Sequence, residues 1–278
     1  MKFRGKIVEP MCMRQFSSIV LTLCKLSKES VLKLTSTQLL FIISEDNAVP
    51  RRTMAWCVLD RKNFFNEYTI DGQGDNNEIN LQLFMELLAS SVNTFKAVDS
   101  VKSVKLKLTD KITPCLTLEI ELVTSIGHSR LCVHDVPVNV ITRAHAEDYA
   151  QQPPTHNYDI SIEMPNLKKL RFIIDRLKKL DHFVVVSAQG SGHMCFKVET
   201  HKATVSTFFT GLKVEKCSND LDEVSSVRVD LRKLSHFLVC EQIHPDKVTC
   251  HILNGHLIHQ HLKQYDVEIN YYLMAVDE

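Results

Sequence analysis

The most chemically suggestive stretch is HILNGHLIHQHL, which gathers His251, His256, His259 and His261 and puts His259 and His261 on one strand face. Imidazoles at that density raise the question of a metal centre. Zinc needs three or four ligands converging at about 2 Å, and neither a Cys pair nor an HExxH segment accompanies these histidines. The polar outer face of a half-buried hairpin accounts for the same residues without metal. His134 and Asp135 are neighbours on a strand-like segment and point to opposite faces, so they form no dyad. Gly72 and Gly74 lack the third glycine of a dinucleotide loop, and no GxxxxGK or GxSxG segment occurs. Asp220, Asp222 and Glu223 lie with Ser218 and Asn219 in what reads as a solvated loop. No nucleophile, base and orienting group come together, so no catalytic residue, metal or cofactor is expected.

The second pattern is electrostatic. On a helical wheel NLKKLRFIIDRLKKL places Leu167, Leu170, Ile173, Ile174, Leu177 and Leu180 on one side. Lys168, Lys169, Arg171, Arg176, Lys178 and Lys179 fall on the other, relieved only by Asp175, and Phe172 sits within that polar arc. Taken alone, such a stripe reads first as a solvated lysine-rich face and second as a footprint for a phosphate backbone. The first helix shifts the balance, because Arg14, Lys25 and Lys28 lie opposite Met13, Phe16, Ile19, Val20 and Leu23, although Leu21 interrupts the basic side. A further helix adds Arg232 and Lys233, and another contributes little beyond Lys96. Lysines without a dense arginine or aromatic code suit backbone contact rather than base readout.

The elements that position these residues repeat. Strand-like Lys2 to Val8 leads through Pro10 into a helix ending near Leu26, and strand-like Tyr158 to Met164 leads through Pro165 into the basic helix, the two prolines standing 155 positions apart. Strands follow in the first half at Val31 to Thr35, Gln38 to Ile43, Met54 to Leu59, Tyr68 to Ile70 and Glu78 to Leu83, then a helix at Phe84 to Lys96. Alternating segments Val101 to Thr109, Cys115 to Val123 and Leu131 to Ile141 close the half. The second half replays the order: Phe183 to Ala188 and Met194 to Glu199 around Gly190 and Gly192, Thr204 to Phe209, Val227 to Asp230, the helix LRKLSHFLVCEQI, a hairpin across Asn254 and Gly255, and a last strand Asp266 to Ala275. The pattern predicts an α+β duplication of mostly antiparallel sheet, with domains at 1–141 and 158–278 joined by a Pro153–Pro154 linker at 142–157. Cys115 to Val123 and Thr204 to Phe209 are the expected open sheet edges, available for pairing with another chain.

Composition bounds the rest. The 278 residues are 44% hydrophobic, enough for one large or two ordinary domains, and 33 basic residues cancel 33 acidic ones. That excludes a disordered polyelectrolyte or a histone-like protein. Nine cysteines without a CxxC pair suit reduced thiols in cytosol or nucleus. Glu9, Pro10 and Arg14 break any signal peptide, and the longest uncharged runs, 182–196 and 248–262, are too short and polar for a membrane span.

Seven segments, in this order and spacing, resemble the Hus family of DNA-damage checkpoint clamp subunits, the 9-1-1 complex, distantly related to proliferating cell nuclear antigen. They are MKFRGKI at the start, NFFNEY at 63–68, NNEINLQL at 76–83, KLKLTDKITPCLTLEIEL at 105–122, VHDVPVNVI at 133–141, VDLRKLSHFL at 229–238 and DVEINYYLMA at 266–275. The resemblance implies a DNA clamp fold, two repeated domains with two helices each lining a ring interior. It implies a non-catalytic, nuclear subunit, with cytoplasm as a second compartment, in a heterotrimer with Rad-nine and Rad-one type subunits. A clamp loader would place the ring on damaged double-stranded DNA, without sequence specificity, to recruit repair and checkpoint proteins. The DNA-facing residues would be Arg14, Lys25, Lys28, Lys168, Lys169, Arg176, Lys179 and Arg232. Subunit interfaces would use Leu116, Leu118, Ile120 and Leu122 on one edge and Val205, Thr207 and Phe209 on the other. The linker as interdomain connector, with Tyr149, Tyr271 and Tyr272, would border a docking groove. Replication clamps often carry a proline where this chain has Ala275. The competing readings are a homotrimeric replication clamp, a metal-dependent hydrolase using His251 to His261, and an interaction scaffold that never meets DNA.

Overall fold

The computed structural model describes residues 1–44, 53–74, 76–93, 101–123, 128–142, 145, 157–218, 222–265 and 267–276. Contacts divide the chain into two compact units, Met1–Gln152 and Pro153–Glu278.

The first unit runs β1 (Lys2–Ile7), α1 (Pro10–Leu26), β2 (Glu29–Leu34), β3 (Gln38–Ser44), β4 (Thr53–Asp60), a single turn α2 (Arg61–Phe64), β5 (Glu67–Asp71), β6 (Ile79–Phe84), α3 (Met85–Val92), β7 (Val101–Asp110), β8 (Pro114–Val123) and β9 (Ser129–Val140). Neighbours in the order β4-β3-β2-β6-β9-β8-β7-β1-β5 pair antiparallel. Alternation sets the buried face: in β6, Ile79, Leu81 and Leu83 go inside while Asn80 and Gln82 stay half-buried. Strand β9 pairs with β8 over residues 129–137 and with β6 over residues 138–140, so one strand joins two stretches of sheet.

The second unit runs β10 (Ile160–Glu163), α4 (Leu167–Leu177), β11 (Phe183–Gln189), β12 (His193–Glu199), β13 (Thr204–Phe209), β14 (Val214–Cys217), β15 (Val224–Asp230), α5 (Leu231–Phe237), a 3-10 turn (Leu238–Ile243), β16 (Lys247–Leu253), β17 (Leu257–Gln264) and β18 (Val267–Met274). Its strands pair antiparallel as β14-β10-β16-β17-β18 and as β13-β12-β11-β15.

The duplication appears as the same local plan in both units. A strand leads into a long helix, and a second helix follows a strand without a loop, Phe84 into Met85 in one unit and Asp230 into Leu231 in the other. In the first unit α1 packs on α3, and in the second α4 packs on α5 and the 3-10 turn. Helix α1 buries Met13, Phe16, Ile19, Val20, Leu23 and Leu26, and α4 buries Leu167, Leu170, Ile174 and Leu177. Each such side chain contributes roughly 1.5–3 kcal/mol, far more than the few tenths that separate ordinary helix propensities.

The helix starts differ in chemistry. Pro10 occupies the first turn of α1, where a missing N–H costs nothing. Pro165 stands just outside α4, whose cap is Asn166, with Oδ1 accepting the Lys169 N–H at 3.1 Å. The two prolines are therefore equivalent in order along the chain but one step apart in role. The basic helix is also shorter than the pattern suggests: it ends at Leu177, and Leu180, expected on the apolar side, is exposed. The helix expected over Phe84 to Lys96 is described as Met85–Val92, and Lys96 lies outside the described residues.

Candidate nucleic-acid interface and sheet edges

Each helix buries one side and leaves the other to solvent. Arg14 and Lys25 are exposed on α1, and Lys28 is exposed just beyond its end. On α4, Lys168, Lys169 and Arg176 are exposed, with Lys179 following, and Arg232 is exposed on α5. Among the described residues Lys28, Lys168, Lys169, Arg176, Lys179 and Arg232 make no ion pair with an acid of the chain. In a protein of zero formal net charge, leaving so many cations uncompensated on short helices concentrates positive potential there.

Not every cation of the basic helix faces outward freely. Lys178 Nζ lies 2.9 Å from Asp175 and donates to Ser235 Oγ at 2.8 Å, which fastens α4 to α5. Arg171 pairs with Glu241 of the 3-10 turn at 3.5 Å. These two hold the helices together rather than reaching out. Phe172 is exposed, as its place on the wheel predicts, and the Arg176 guanidinium sits 4.1 Å from its ring centroid. Ser235, a buried serine, was invisible to charge patterning because its role is to accept one ammonium N–H.

The sheet edges require a correction. Strand β8, which contains Leu116, Leu118, Ile120 and Leu122, is hydrogen-bonded to β7 on one side and β9 on the other, so it is interior to the sheet. Leu116, Leu118 and Ile120 are fully buried. Alternation puts Leu116, Leu118 and Ile120 on one face of β8, and that face is core rather than interface; edge status depends on which strand lies alongside, and that is absent from the pattern. The open edge is the first half of β9, residues 129–136, whose far side has no partner strand among the described residues. There Leu131 is 58% and Val133 is 51% exposed. A signal was present: apolar positions are odd at Leu131 and Val133 and even at Val136 and Val138, and that phase change marks where exposure gives way to burial.

Strand β13 is terminal in its sheet, paired only with β12 among the described residues. Val205, Thr207 and Phe209 lie on its half-buried side, Phe209 meeting Phe196 edge-on at 5.9 Å. The outward side carries Thr204, Ser206 and Phe208, and Phe208 is 70% exposed. The exposed apolar side chain of β13 is thus Phe208, on the face opposite the half-buried Val205, Thr207 and Phe209 expected at the interface.

The histidines form a stack rather than a ligand cage. His251 and His259 face each other across β16 and β17 with ring centroids 5.0 Å apart, Tyr158 stacks on His251 at 5.0 Å, and Tyr272 lies on His259 at 4.3 Å. Both nitrogens of His259 are engaged, Nδ1 with the Tyr158 hydroxyl at 3.0 Å and Nε2 with Asn270 Oδ1 at 2.8 Å. His251 Nδ1 meets Ser161 Oγ at 2.8 Å. Burial, reinforced by nearby His261, pushes the His251 pKa down to about 4, with Glu215 opposing and Lys247 adding to the depression. Among the described residues no group of His, Cys, Asp and Glu is arranged to hold a metal ion.

Of the tyrosines expected at a docking groove, Tyr271 is a correction: it is fully buried, with its hydroxyl donating to the Lys233 carbonyl at 3.0 Å. Alternation on β18 explains this, since Val267, Ile269, Tyr271 and Leu273 share the inner face. Tyr272 points the other way and is half-buried against His259. Tyr149, Asp220 and most of the linker lie outside the described residues. No described helix is long and apolar enough to cross a membrane.

Comparison with known proteins agrees with this architecture. A family model described as Hus1-like protein matches residues 1–277. The chain is similar to "Checkpoint protein HUS1" of Homo sapiens, 34% identical over 99% of this chain and 100% of that one. It is also similar to "Checkpoint protein Hus1-like" of Drosophila melanogaster, 30% identical over 99% of each. Proliferating cell nuclear antigen of Entamoeba histolytica superposes with a TM-score of 0.73 over 99% of each chain at 13% identity, which shows that the fold is the sliding-clamp fold.

Proposed function

The chain belongs to the Hus1-like family, and on that premise we propose how this checkpoint clamp subunit works. It assembles with other clamp subunits, of Rad-nine and Rad-one types, into a heterotrimeric ring around double-stranded DNA. The exposed cations Arg14, Lys25, Lys28, Lys168, Lys169, Arg176, Lys179 and Arg232 meet backbone phosphates without choosing a sequence. The observation that carries this reading is the exposed face of α4, where Lys168, Lys169 and Arg176 make no ion pair among the described residues, in a protein with no net charge. Topology explains why so few contacts suffice: a closed ring is held by encirclement, so its lining needs only a modest attraction that lets it slide.

Subunits join by strand addition, one neighbour at β13 and another at the open half of β9, each offering backbone groups with no partner strand among the described residues and exposed apolar side chains. A clamp loader opens the ring at damaged DNA. Repair and checkpoint proteins dock on the connector at 142–157, which carries Tyr149, and on Tyr272. The subunit works in the nucleus and catalyses no reaction. Loading the assembled ring onto circular DNA tests this: the ring should survive a high-salt wash and be lost when the circle is cut. Equal retention on cut and closed circles would overturn encirclement.

A further inference from the structure

Between the end of α4 and the start of α5 lies a cavity of about 360 Å³, lined by Lys178, Asp181, His182, Leu231, Arg232 and His236. That size falls at the lower end of small-ligand sites, about 300–1,000 Å³. Its lining is rich in donors and poor in acceptors. Lys178 has three N–H groups, of which Asp175 and Ser235 take two, and Arg232 presents a guanidinium free of ion pairs among the described residues. His182 and His236 add two imidazoles. The single lining carboxylate, Asp181, already accepts the backbone N–H groups of His182 and Phe183.

We propose that this cavity is a phosphate seat, in which Arg232, Lys178, His182 and His236 close on one phosphate group. Arg232 supplies the planar fork that phosphate oxygens fit, and Lys178 supplies a held point charge. The imidazoles add two ring N–H donors. His236 titrates below its ordinary value, chiefly through burial and then through Lys178, with Asp230 opposing. An anion in the seat cancels that penalty, so binding draws a proton onto the ring. The seat therefore favours a dianionic phosphomonoester over a phosphodiester, which carries one charge fewer. Two sources offer this chemistry, a free or terminal phosphate and the phosphodiester backbone of DNA. The backbone source rests on the proposed DNA-facing role of Arg232, whereas the seat itself does not.

The test uses the full chain and nuclear magnetic resonance of its histidine rings. Inorganic phosphate is titrated at constant ionic strength with chloride, and then a short duplex is added with or without a 5′-terminal phosphate. The expected result is saturable movement of the His182 and His236 signals with phosphate and an upward shift of the His236 titration midpoint. Affinity should fall at least fivefold in Arg232→Ala and in His236→Gln, the second guarding against misfolding of the first. The phosphorylated duplex should move the same signals at lower concentration than the unphosphorylated one. Absence of a saturable response, or an affinity in both variants equal to that of the unaltered chain, would overturn the seat. If phosphate binds as expected but neither duplex moves these signals, the seat stands for free phosphate and the DNA-facing role of Arg232 fails.

Discussion

The Tyr272 ring lies 4.3 Å from the His259 imidazole with only 5° between their planes. With Tyr158 and Asn270 occupying its two nitrogens, His259 is a member of a stacked, hydrogen-bonded face and has no lone pair to offer a cation. Purified protein is therefore expected to carry no stoichiometric transition metal, and His259→Phe with His261→Gln to leave metal content unchanged by elemental analysis. Stoichiometric metal lost in that variant would revive the hydrolase reading.

The same stack predicts acid sensitivity. His251 has its pKa lowered to about 4 in the fold from 6.5, so between those values the unfolded chain takes up a proton that the folded chain refuses. Stability is then greatest above pH 6.5 and falls as the pH drops toward 4, by about 1 kcal/mol at pH 5.5 after allowance for solvent screening. Denaturant midpoints at pH 7.5 and 5.5 should converge in His251→Gln; an unchanged gap would assign the acid sensitivity to other groups.

Asp230 ends β15 and caps α5, its Oδ1 accepting the Arg232 N–H at 2.7 Å and the Lys233 N–H at 3.1 Å. Replacing it by Ala should cost about 1 kcal/mol in chemical denaturation, within the usual 0.5–2 kcal/mol for such caps. Asn is expected to recover most of the loss, because it keeps the acceptor. Full loss in both variants would mean that charge, not capping, is what matters.

Charge reversal at Lys25, Lys168 and Lys179 should weaken DNA retention by the assembled ring and flatten its salt dependence, by nearly one unit of slope for each phosphate contact removed. All three are exposed, so folding stability should change by less than about 0.5 kcal/mol. Retention and slope equal to those of the unaltered ring would exclude these residues from the DNA-facing surface.

Phe208→Asp on β13, or Leu131→Asp with Val133→Asp on β9, should leave a folded chain that no longer joins its neighbours. The exposure of these side chains makes them cheap to change in the isolated subunit and costly at an interface. Leu118→Asp should instead unfold the chain, because β8 is interior. Circular dichroism and gel filtration separate the two outcomes, and normal assembly of the Phe208 and Leu131/Val133 variants would contradict the edge assignment.

What could be read from the chain and what could not divides along physical lines. Helical spacing is local, so it placed Lys168, Lys169 and Arg176 outward, whereas Leu116, Leu118 and Ile120, expected at a subunit interface, are buried in the core. The turn at Gly192 was also legible, since its φ of +83° and the Leu212 carbonyl 2.6 Å from where a Cβ would stand both demand glycine. Strand neighbours are non-local, so nothing in β8 revealed that β9 lies outside it. Short β14 carries too few residues to show a period. Tyr271 and Tyr272 look equivalent as an aromatic pair, yet period two sends one into the core and the other to the histidine stack.

The proposed function requires this chain to be one unlike member of a three-part ring. Native mass spectrometry of the chain alone, and then mixed with the two other clamp subunits, measures that directly. The expected masses are a single chain of 31.8 kDa in isolation and a one-to-one-to-one assembly in the mixture. A stable trimer of this chain alone, or no assembly with the other two, would contradict it.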